Sequence, residues 1–270
     1  MKPNKLLLSV AGLMGIVALA ACQGKPNTSA SSQVSSMSSV STSLTSITET
    51  IETSETMQTS EEQKEVKEAV KTFEPGTLLT AVNQRNLDQV REILQDPNYV
   101  IDEVDGENNT PLNIAVHNND VEIAKLLIDR GADINKQNTI SDSPYLYAGA
   151  QGRTEILTYM LGNAEPDLTV HNRFGGNALI PAAEKGHIDN VKLLLADGRE
   201  DIDFQNNYGY TALIEAVGLR EGNELYQEIV RVLMDNGANQ HIKDNSGRTA
   251  MDYAVEKGYT EINAILSQYD

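Results

Sequence analysis

Cysteine, tryptophan and positive charge are scarce in this sequence of 270 residues. Its single cysteine, Cys22, excludes an intramolecular disulfide and a metal centre built from several thiolates. Tryptophan is absent. Lysine and arginine number 21 against 39 acidic residues. This excess of negative charge argues against binding to nucleic acid or to anionic lipid headgroups, and favours basic protein partners at long range.

Sequence motifs of catalysis are also missing. The chain has no His-Glu-x-x-His pair, no glycine-rich phosphate loop ending in Lys-Ser or Lys-Thr, and no Gly-x-Ser-x-Gly elbow. Its four histidines are not spaced by a helical turn, and its turn-forming aspartates lack the regular spacing of a calcium loop. We therefore expect neither an enzyme nor a metal or cofactor site, with an enzyme built on the loops kept as the less favoured alternative.

What the chain does have is a repeat. Alanines recur at separations of 34, 33, 34, 34 and 38 residues, at Ala81, Ala115, Ala148, Ala182, Ala216 and Ala254. Five of the six are preceded by similar triplets, namely Thr110-Pro111-Leu112, Ser143-Pro144-Tyr145, Asn177-Ala178-Leu179, Thr211-Ala212-Leu213 and Thr249-Ala250-Met251. Gly-Ala pairs close two of the copies, at Gly131 and Gly237. The pattern resembles the ankyrin repeat, whose period is about 33 residues.

The resemblance implies an all-α repeat solenoid, an ankyrin-type stack of about six helix-turn-helix units with β-hairpin-like fingers. The physics of the sequence agrees, because each unit has short helices with one apolar face that only stacking can bury. Thr110 and Thr211 are expected to cap helices, with Pro111 at a first helical position. Gly131 and Gly237 are expected to end helices in the left-handed conformation.

The repeat period defines the bounds of a C-terminal domain and of its repeats. Residues 61–270 are predicted to form the ankyrin-repeat domain, with repeats at about 73–104, 105–137, 138–171, 172–205, 206–243 and 244–270. Residues 61–71 are predicted to form an extra helix docked on the first repeat, because Ser60-Glu61-Glu62-Gln63 has the form of a capping box. The five extra residues in the fifth repeat, near Gly218 to Gln227, suggest a private contact through Leu219 and Tyr226, or a loop without consequence.

The N-terminus indicates export. A basic start precedes an apolar run from Leu6 to Ala21, about 24 Å long as a helix, which is short of the roughly 30 Å of a membrane core. Leu-Ala-Ala-Cys at its end resembles the bacterial lipobox, which implies a signal peptide over 1–21 and lipidation of Cys22. Cleavage after Ala20, giving a secreted protein, is the alternative. The Ser- and Thr-rich part of residues 22–60 is expected to be a disordered tether.

These features predict a lipid-anchored scaffold on the outer face of a bacterial cell membrane. In ankyrin proteins the fingers and first helices form the concave binding surface. Mapped onto this sequence, the preferred partner-binding set is Arg173, Phe174, Lys185, Asn207, Tyr208, Tyr210 and Arg248, a composition typical of interface hot spots. The partner is an unknown protein that the charge suggests is basic. An immunity or inhibitor protein against a toxin or host factor is the alternative, and packing of the aromatics on neighbouring fingers is the competing interpretation of the patch.

Overall fold

The computed structural model describes residues 71–269. The proposed signal peptide, Cys22, the tether and residues 61–70 of the predicted extra helix lie outside the described residues. The helices within this range are α1 Thr77–Asn83, α2 Leu87–Ile93, α3 Pro111–Asn118, α4 Val121–Asp129, α5 Pro144–Ala150, α6 Thr154–Asn163, α7 Leu179–Glu184, α8 Ile188–Asp197, α9 Ala212–Gly218, α10 Glu224–Asp235, α11 Ala250–Glu256 and α12 Thr260–Leu266.

The twelve helices of the described range form two layers. Each odd-numbered helix packs on the next odd-numbered helix, each even-numbered helix on the next even-numbered one, and the two helices of a pair pack together. This is a stack of helix pairs, and no strand occurs between residues 71 and 269. The predicted fold class is therefore confirmed.

The buried core runs through the whole stack between these layers. It includes the six aligned alanines, which are at most 1% exposed. Small side chains at this position let the helices approach closely, and larger residues such as Leu112, Leu127 and Leu194 fill the space around them. Burial of one continuous apolar core across the units is what short helices of six to twelve residues need for stability.

Helix termini follow the predicted capping. The hydroxyl oxygen of Thr110 accepts a hydrogen bond from the backbone N–H of Asn113 at 3.1 Å, and that of Thr211 accepts one from Ile214 at 3.2 Å. Pro111 lies at the first helical position of α3. Gly131 and Gly237 follow their helices with φ of 86° and 88°, the left-handed conformation that glycine adopts without steric cost.

The fingers are five-residue loops that precede the odd-numbered helices of the second to sixth pairs, at 105–109, 138–142, 172–176, 206–210 and 244–248. In each, the backbone N–H of the first residue donates to the carbonyl of the fifth at 2.9 to 3.1 Å. The first residue is always Asp or Asn, and its Oδ1 accepts from the N–H groups of the third and fifth residues. A side chain thus closes every hairpin-like turn.

Neighbouring fingers are also joined to one another. The N–H of Thr139 donates to the carbonyl of Glu107 at 3.0 Å, that of Asn207 to Phe174 at 2.9 Å, and that of Asn245 to Tyr208 at 3.1 Å. Side chains add a second bond in two of these pairs, from Nδ2 of Asn138 to Oδ1 of Asn109 at 2.8 Å and from Nδ2 of Asn245 to the carbonyl of Asn207 at 2.9 Å. The fingers therefore hold the side chains of adjacent repeats at a fixed spacing.

The sequence departs from the ankyrin pattern in two ways at the joint between the third and fourth repeats, and specific contacts accompany each. A Cβ on Gly149 would lie 2.8 Å from the Cβ of Ala178, so only glycine fits where α5 meets the next repeat. Where repeats three and four lack a Gly-Ala ending, Arg199 bridges the joint by donating to Asp197 at 2.7 Å, Glu165 at 2.9 Å and the carbonyl of Leu161 at 3.0 Å. This irregular joint is therefore closed by a tight helix contact and by hydrogen bonds from one arginine.

Candidate functional site

The predicted partner-binding residues all lie on the side of the stack formed by the fingers and the odd-numbered helices. Phe174 and Tyr208 hold the third position of successive fingers and are 50% and 55% exposed, which is unusual for large hydrophobic side chains. The hydrogen bond from the N–H of Asn207 to the carbonyl of Phe174 joins the two fingers and so fixes the spacing of these two positions. Exposed aromatic groups held by a rigid frame are typical of binding surfaces.

Tyr210 connects this exposed pair to the core. Its ring lies 5.9 Å from that of Tyr208 in a stacked arrangement and 6.4 Å from that of Tyr253 in an edge-on arrangement. Tyr253 is 5% exposed, and its hydroxyl donates to Asp244 at 2.6 Å. Burial alone would raise the pKa of Asp244, but hydrogen bonds from Tyr253 and Ser246 lower it to about 2. Tyr210 therefore packs on neighbouring aromatic side chains, as the competing interpretation of the patch holds. Tyr208 is 55% exposed and can contact a partner.

Two shallow grooves flank Phe174. The first, which we call the mixed-charge groove, has a volume of about 60 Å³ and is lined by Asp142, Leu146, Tyr147, Ala150, Gln151, Asn172, Arg173, Phe174, Pro181, Glu184 and Lys185. Arg173 lies 3.8 Å from the carboxylate of Asp142 and 5.5 Å from the ring of Phe174. This groove brings together three of the predicted residues, Arg173, Phe174 and Lys185.

The second groove is larger, with a volume of about 260 Å³, and we call it the acidic groove. It is lined by Phe174, Glu184, Asn206, Tyr208, Tyr210, Glu215 and Leu219. Both of its charged lining residues are acids. Glu184 and Phe174 belong to both grooves, so the two form adjoining parts of one surface.

Two other predicted residues lie apart from these grooves. The guanidinium of Arg248 lies 4.2 Å from the ring of Tyr253 and is paired with Glu256 at 3.1 Å, so its contacts are within its own repeat. Asn207 is exposed at the finger tip, where its carbonyl accepts from the side chain of Asn245 at 2.9 Å. Both residues sit on the same side of the stack but line neither groove.

The insertion in the fifth repeat contributes to the acidic groove through one of its two candidate residues. Leu219, just after α9, is 45% exposed and lines the groove. Tyr226 is 8% exposed, and its hydroxyl donates to the carbonyl of Glu184 at 2.9 Å. Of the two candidates for a private contact, Leu219 is therefore the exposed one, while Tyr226 packs inward against the end of α7.

The carboxyl group of Glu215 is the functional candidate that the predicted set lacks. Glu215 lies on α9, is only 6% exposed, and accepts a hydrogen bond from Nδ2 of Asn206 at 2.7 Å. Burial, reinforced by the charge of Glu184, raises its pKa to about 8 against the lowering effects of Asn206, Arg220 and Lys185. A titratable group perturbed in this way, and lining a groove, is typical of a functional position.

A sequence signal for Glu215 exists in the repeat alignment. The residue immediately before the aligned alanine is apolar or aromatic in repeats two, three, four and six, where it is Ile114, Tyr147, Pro181 and Tyr253. In repeat five it is a glutamate. Comparing this one position across the aligned repeats therefore distinguishes Glu215 from its apolar and aromatic counterparts.

Residues 71–269 contain no group of three or more His, Cys, Asp or Glu side chains arranged to hold a metal ion. None of the helices in this range combines the length and apolar character needed to cross a membrane.

Comparison with known proteins agrees with the architecture. A family model described as ankyrin repeats in three copies matches residues 60–138 and 145–244. The chain is 36% identical over 192 residues to the putative ankyrin repeat protein YahD of Escherichia coli strain K12, covering 71% of this chain and 94% of YahD. The chain belongs to the ankyrin repeat family, whose members generally act as protein-binding scaffolds without catalytic activity.

Solved structures show the same likeness. The crystal structure of EF0377, an ankyrin repeat protein, matches with a TM-score of 0.73 and 78% identity over 74% of this chain and 100% of that one. An ankyrin repeat domain from Acinetobacter baumannii AYE matches with a TM-score of 0.69 and 40% identity, over 73% of this chain and 98% of that one. The alignment spans the whole of the solved EF0377 chain, so repeats of this length form an ordered structure in that protein without a further segment in the crystal.

Proposed function

We propose that this protein is a lipid-anchored scaffold that binds a partner protein outside the cytoplasmic membrane through the two grooves around Phe174. The observation that carries the proposal is the exposed pair Phe174 and Tyr208, held in register by the hydrogen bond between their fingers. Aromatic side chains fixed in this way lose little conformational entropy when a partner covers them. The acidic surface selects for a partner of basic or mixed charge.

The anchor follows from the leader and the lone cysteine. Cys22 follows Leu-Ala-Ala, the position at which a lipobox requires cysteine, and no second cysteine exists to give it a disulfide role. The segment from Gln23 to Thr72 contains fifty residues, and a flexible chain of that length gives an average reach of about 35 to 42 Å. The repeat domain would then meet its partner close to the membrane without lying on it.

One experiment in the bacterium that encodes the protein tests both parts. The full chain is cross-linked on intact cells, and the partner is identified by mass spectrometry. We expect the double variant Phe174→Ala and Tyr208→Ala to lose at least about 90% of the capture, because hot-spot truncations commonly cost 2 kcal/mol or more. The matched control is Val100→Ala with Val255→Ala, which removes exposed apolar groups of 69% and 59% exposure elsewhere.

The same cells report on the anchor. Cys22→Ser should abolish incorporation of labelled fatty acid and move the protein from the membrane fraction into the medium or the periplasm. Equal capture by the patch and control variants would refute the binding surface, and unchanged membrane association of Cys22→Ser would refute the anchor. Identification of the captured partner as a toxin would make the scaffold an inhibitor.

A further inference from the structure

The position of Glu215 is costly for the fold. Its counterparts in four other repeats are apolar or aromatic, and a carboxyl group buried among helices loses hydration that a single hydrogen bond does not replace. Within residues 71–269 Glu215 forms no ion pair at 4.0 Å or less, although most acids of the odd-numbered helices and fingers have charged neighbours in reach. Stability alone therefore does not explain a glutamate here.

The charged and titratable groups packed around Glu215 leave it without a counter-ion. From the C-terminal end of α7 come Glu184 and Lys185, and from the loop after α9 comes Arg220. Arg220 is committed to Glu184, because its guanidinium pairs with that carboxylate and also donates to the carbonyl of Glu184 at 2.7 Å. Lys185 is exposed and lines the mixed-charge groove on the other side.

The walls of the acidic groove suit the stem of a long cationic side chain. Phe174, Tyr208 and Leu219 are each about half exposed and offer apolar surface above the two acids. Because Arg173 already lies over the ring of Phe174 at 5.5 Å, the more accessible aromatic face belongs to Tyr208. Arginine and lysine bury their methylene groups against such walls and place their charge at the end, where an aromatic face adds attraction.

We propose that the acidic groove takes an arginine or lysine side chain of the partner protein, with Glu215 as its counter-ion and Tyr208 as its aromatic wall. This inference rests on the proposed function and names what the partner must present. Charge complementarity selects this occupant, because both charged residues that line the groove are acids and the whole chain carries an excess of 18 negative charges.

Proton release follows from the proposal. Free Glu215 holds its proton up to about pH 8, whereas a cation placed against it favours the carboxylate and lowers its pKa. Binding near pH 6 must then expel a proton, so affinity should rise with pH, by up to tenfold per unit, and level off above about pH 8. A groove that only buries apolar surface would bind equally well across this range.

The test uses the purified repeat domain, residues 61–270, and a random peptide library displayed on phage. We expect the selected peptides that bind in the acidic groove to contain arginine or lysine. Replacing that residue with citrulline or norleucine should weaken binding at least about tenfold, since truncating one member of a buried charge pair costs 2 kcal/mol or more. Calorimetry at pH 6 in buffers of different ionisation enthalpy should detect release of about one proton.

Glu215→Gln is the decisive variant, because glutamine can still accept the hydrogen bond from Asn206 while the charge is lost. It should weaken the selected peptides at least about tenfold at pH 8 and abolish the pH dependence. Glu107→Gln, at an exposed finger position, controls for loss of one negative charge. Circular dichroism should show that both variants are folded.

Two results would overturn the inference. The first is equal binding by wild type and Glu215→Gln at pH 8, and the second is a library that gives only neutral or acidic peptides at the groove. In either case, cellular capture that still depends on Phe174 and Tyr208 would leave the proposed function intact. Loss of that dependence would instead remove the proposed function itself.

Discussion

Asn206 and Glu215 together show how a single side chain can serve both the fold and the site. Oδ1 of Asn206 closes its finger by accepting from the N–H groups of Tyr208 and Tyr210, and its Nδ2 donates to Glu215 at 2.7 Å. The finger and the groove floor are therefore built on one amide group. In the sixth repeat, Asp244 and Tyr253 occupy the positions of Asn206 and Glu215. Asp244 closes the finger and accepts a hydrogen bond from Tyr253, so the same two positions are bonded with donor and acceptor exchanged.

At this residue scale, we predict that Glu215→Gln changes the pH dependence of stability. A carboxyl group whose pKa is raised in the folded state, here from 4.5 to about 8, binds more protons folded than unfolded between those values. Its contribution is fully present below about pH 4.5 and is lost as pH rises through 8. Each pKa unit corresponds to about 1.4 kcal/mol.

The measurement is urea unfolding of both proteins between pH 5 and pH 9. The free energy of unfolding of the wild type should fall by about 2 kcal/mol or more relative to that of the variant over this interval, so that the variant is the more stable at pH 9. A constant difference between the two curves would show that Glu215 is ionised throughout, with an ordinary pKa.

Elements are where the sequence was most informative. The alanine period, the capping threonines and the helix-ending glycines are local features, and each depends on residues within one or two turns of chain. They predicted the pairs of helices and their caps. The bonds between fingers were not predictable in this way, since the bond from Asn207 to the carbonyl of Phe174 joins residues of different repeats and depends on how the repeats stack.

The candidate site was predictable in part for the same reason. Phe174 and Tyr208 stand out in the sequence because they are aromatic residues at finger positions, where exposure was expected. Glu215 and Leu219 belong to the first helix of a repeat and to an inserted loop, and their meeting with Phe174 from the preceding finger is a tertiary event. The inward orientation of Tyr226 could not be predicted from the sequence either, because it depends on a hydrogen bond to the carbonyl of Glu184 in another repeat.

At the element scale, we predict that two equivalent finger glycines differ in their tolerance of a side chain. Gly209 and Gly247 hold the fourth position of successive fingers, with φ of 77° and 85°. A Cβ on Gly209 would lie 2.7 Å from the backbone nitrogen of Asn245 in the next finger, whereas one on Gly247 meets nothing within 4 Å. A side chain at either position would be strained by the left-handed backbone conformation. Only at Gly209 would the new Cβ also collide with the next finger.

Gly247→Ala should therefore cost about 1 to 2 kcal/mol from backbone strain alone. Gly209→Ala should cost that amount and a further 1 to 3 kcal/mol for displacement of the adjoining finger. Chemical denaturation of the two variants gives the comparison. Equal losses of stability would mean that the fingers separate freely, and the side-by-side placement of Phe174 and Tyr208 would then lack a rigid support.

For the whole repeat stack, stability depends on contacts between neighbours only, because each helix pair contacts the pair before it and the pair after it. Cooperative unfolding then requires that every joint be strong enough to transmit the loss of one repeat to the next. The joint between the third and fourth repeats is the irregular one, closed by Arg199 and by the tight contact of Gly149 with Ala178.

Asn190 holds this joint from inside. It is fully buried on α8 in the fourth repeat, and its Nδ2 donates to the carbonyls of Ala148 and Gly149 in the third repeat at 2.9 and 3.0 Å. Asn190→Ala removes both donors and leaves buried acceptors short of a partner, at a cost of about 1 to 3 kcal/mol. The loss falls on the coupling between two halves of the stack, while each half keeps its own contacts.

We therefore predict that Asn190→Ala unfolds in two stages where the wild type unfolds in one. Hydrogen exchange should show α1 to α6 and α7 to α12 opening with different free energies, because a weakened joint no longer forces them to open together. Asn236→Ala, which removes an exposed amide bonded within its own helix at 2.7 Å, is the control and should leave a single transition. A single transition in Asn190→Ala, merely shifted to lower denaturant, would place the coupling in the fingers and the alanine-lined core instead of in this buried amide.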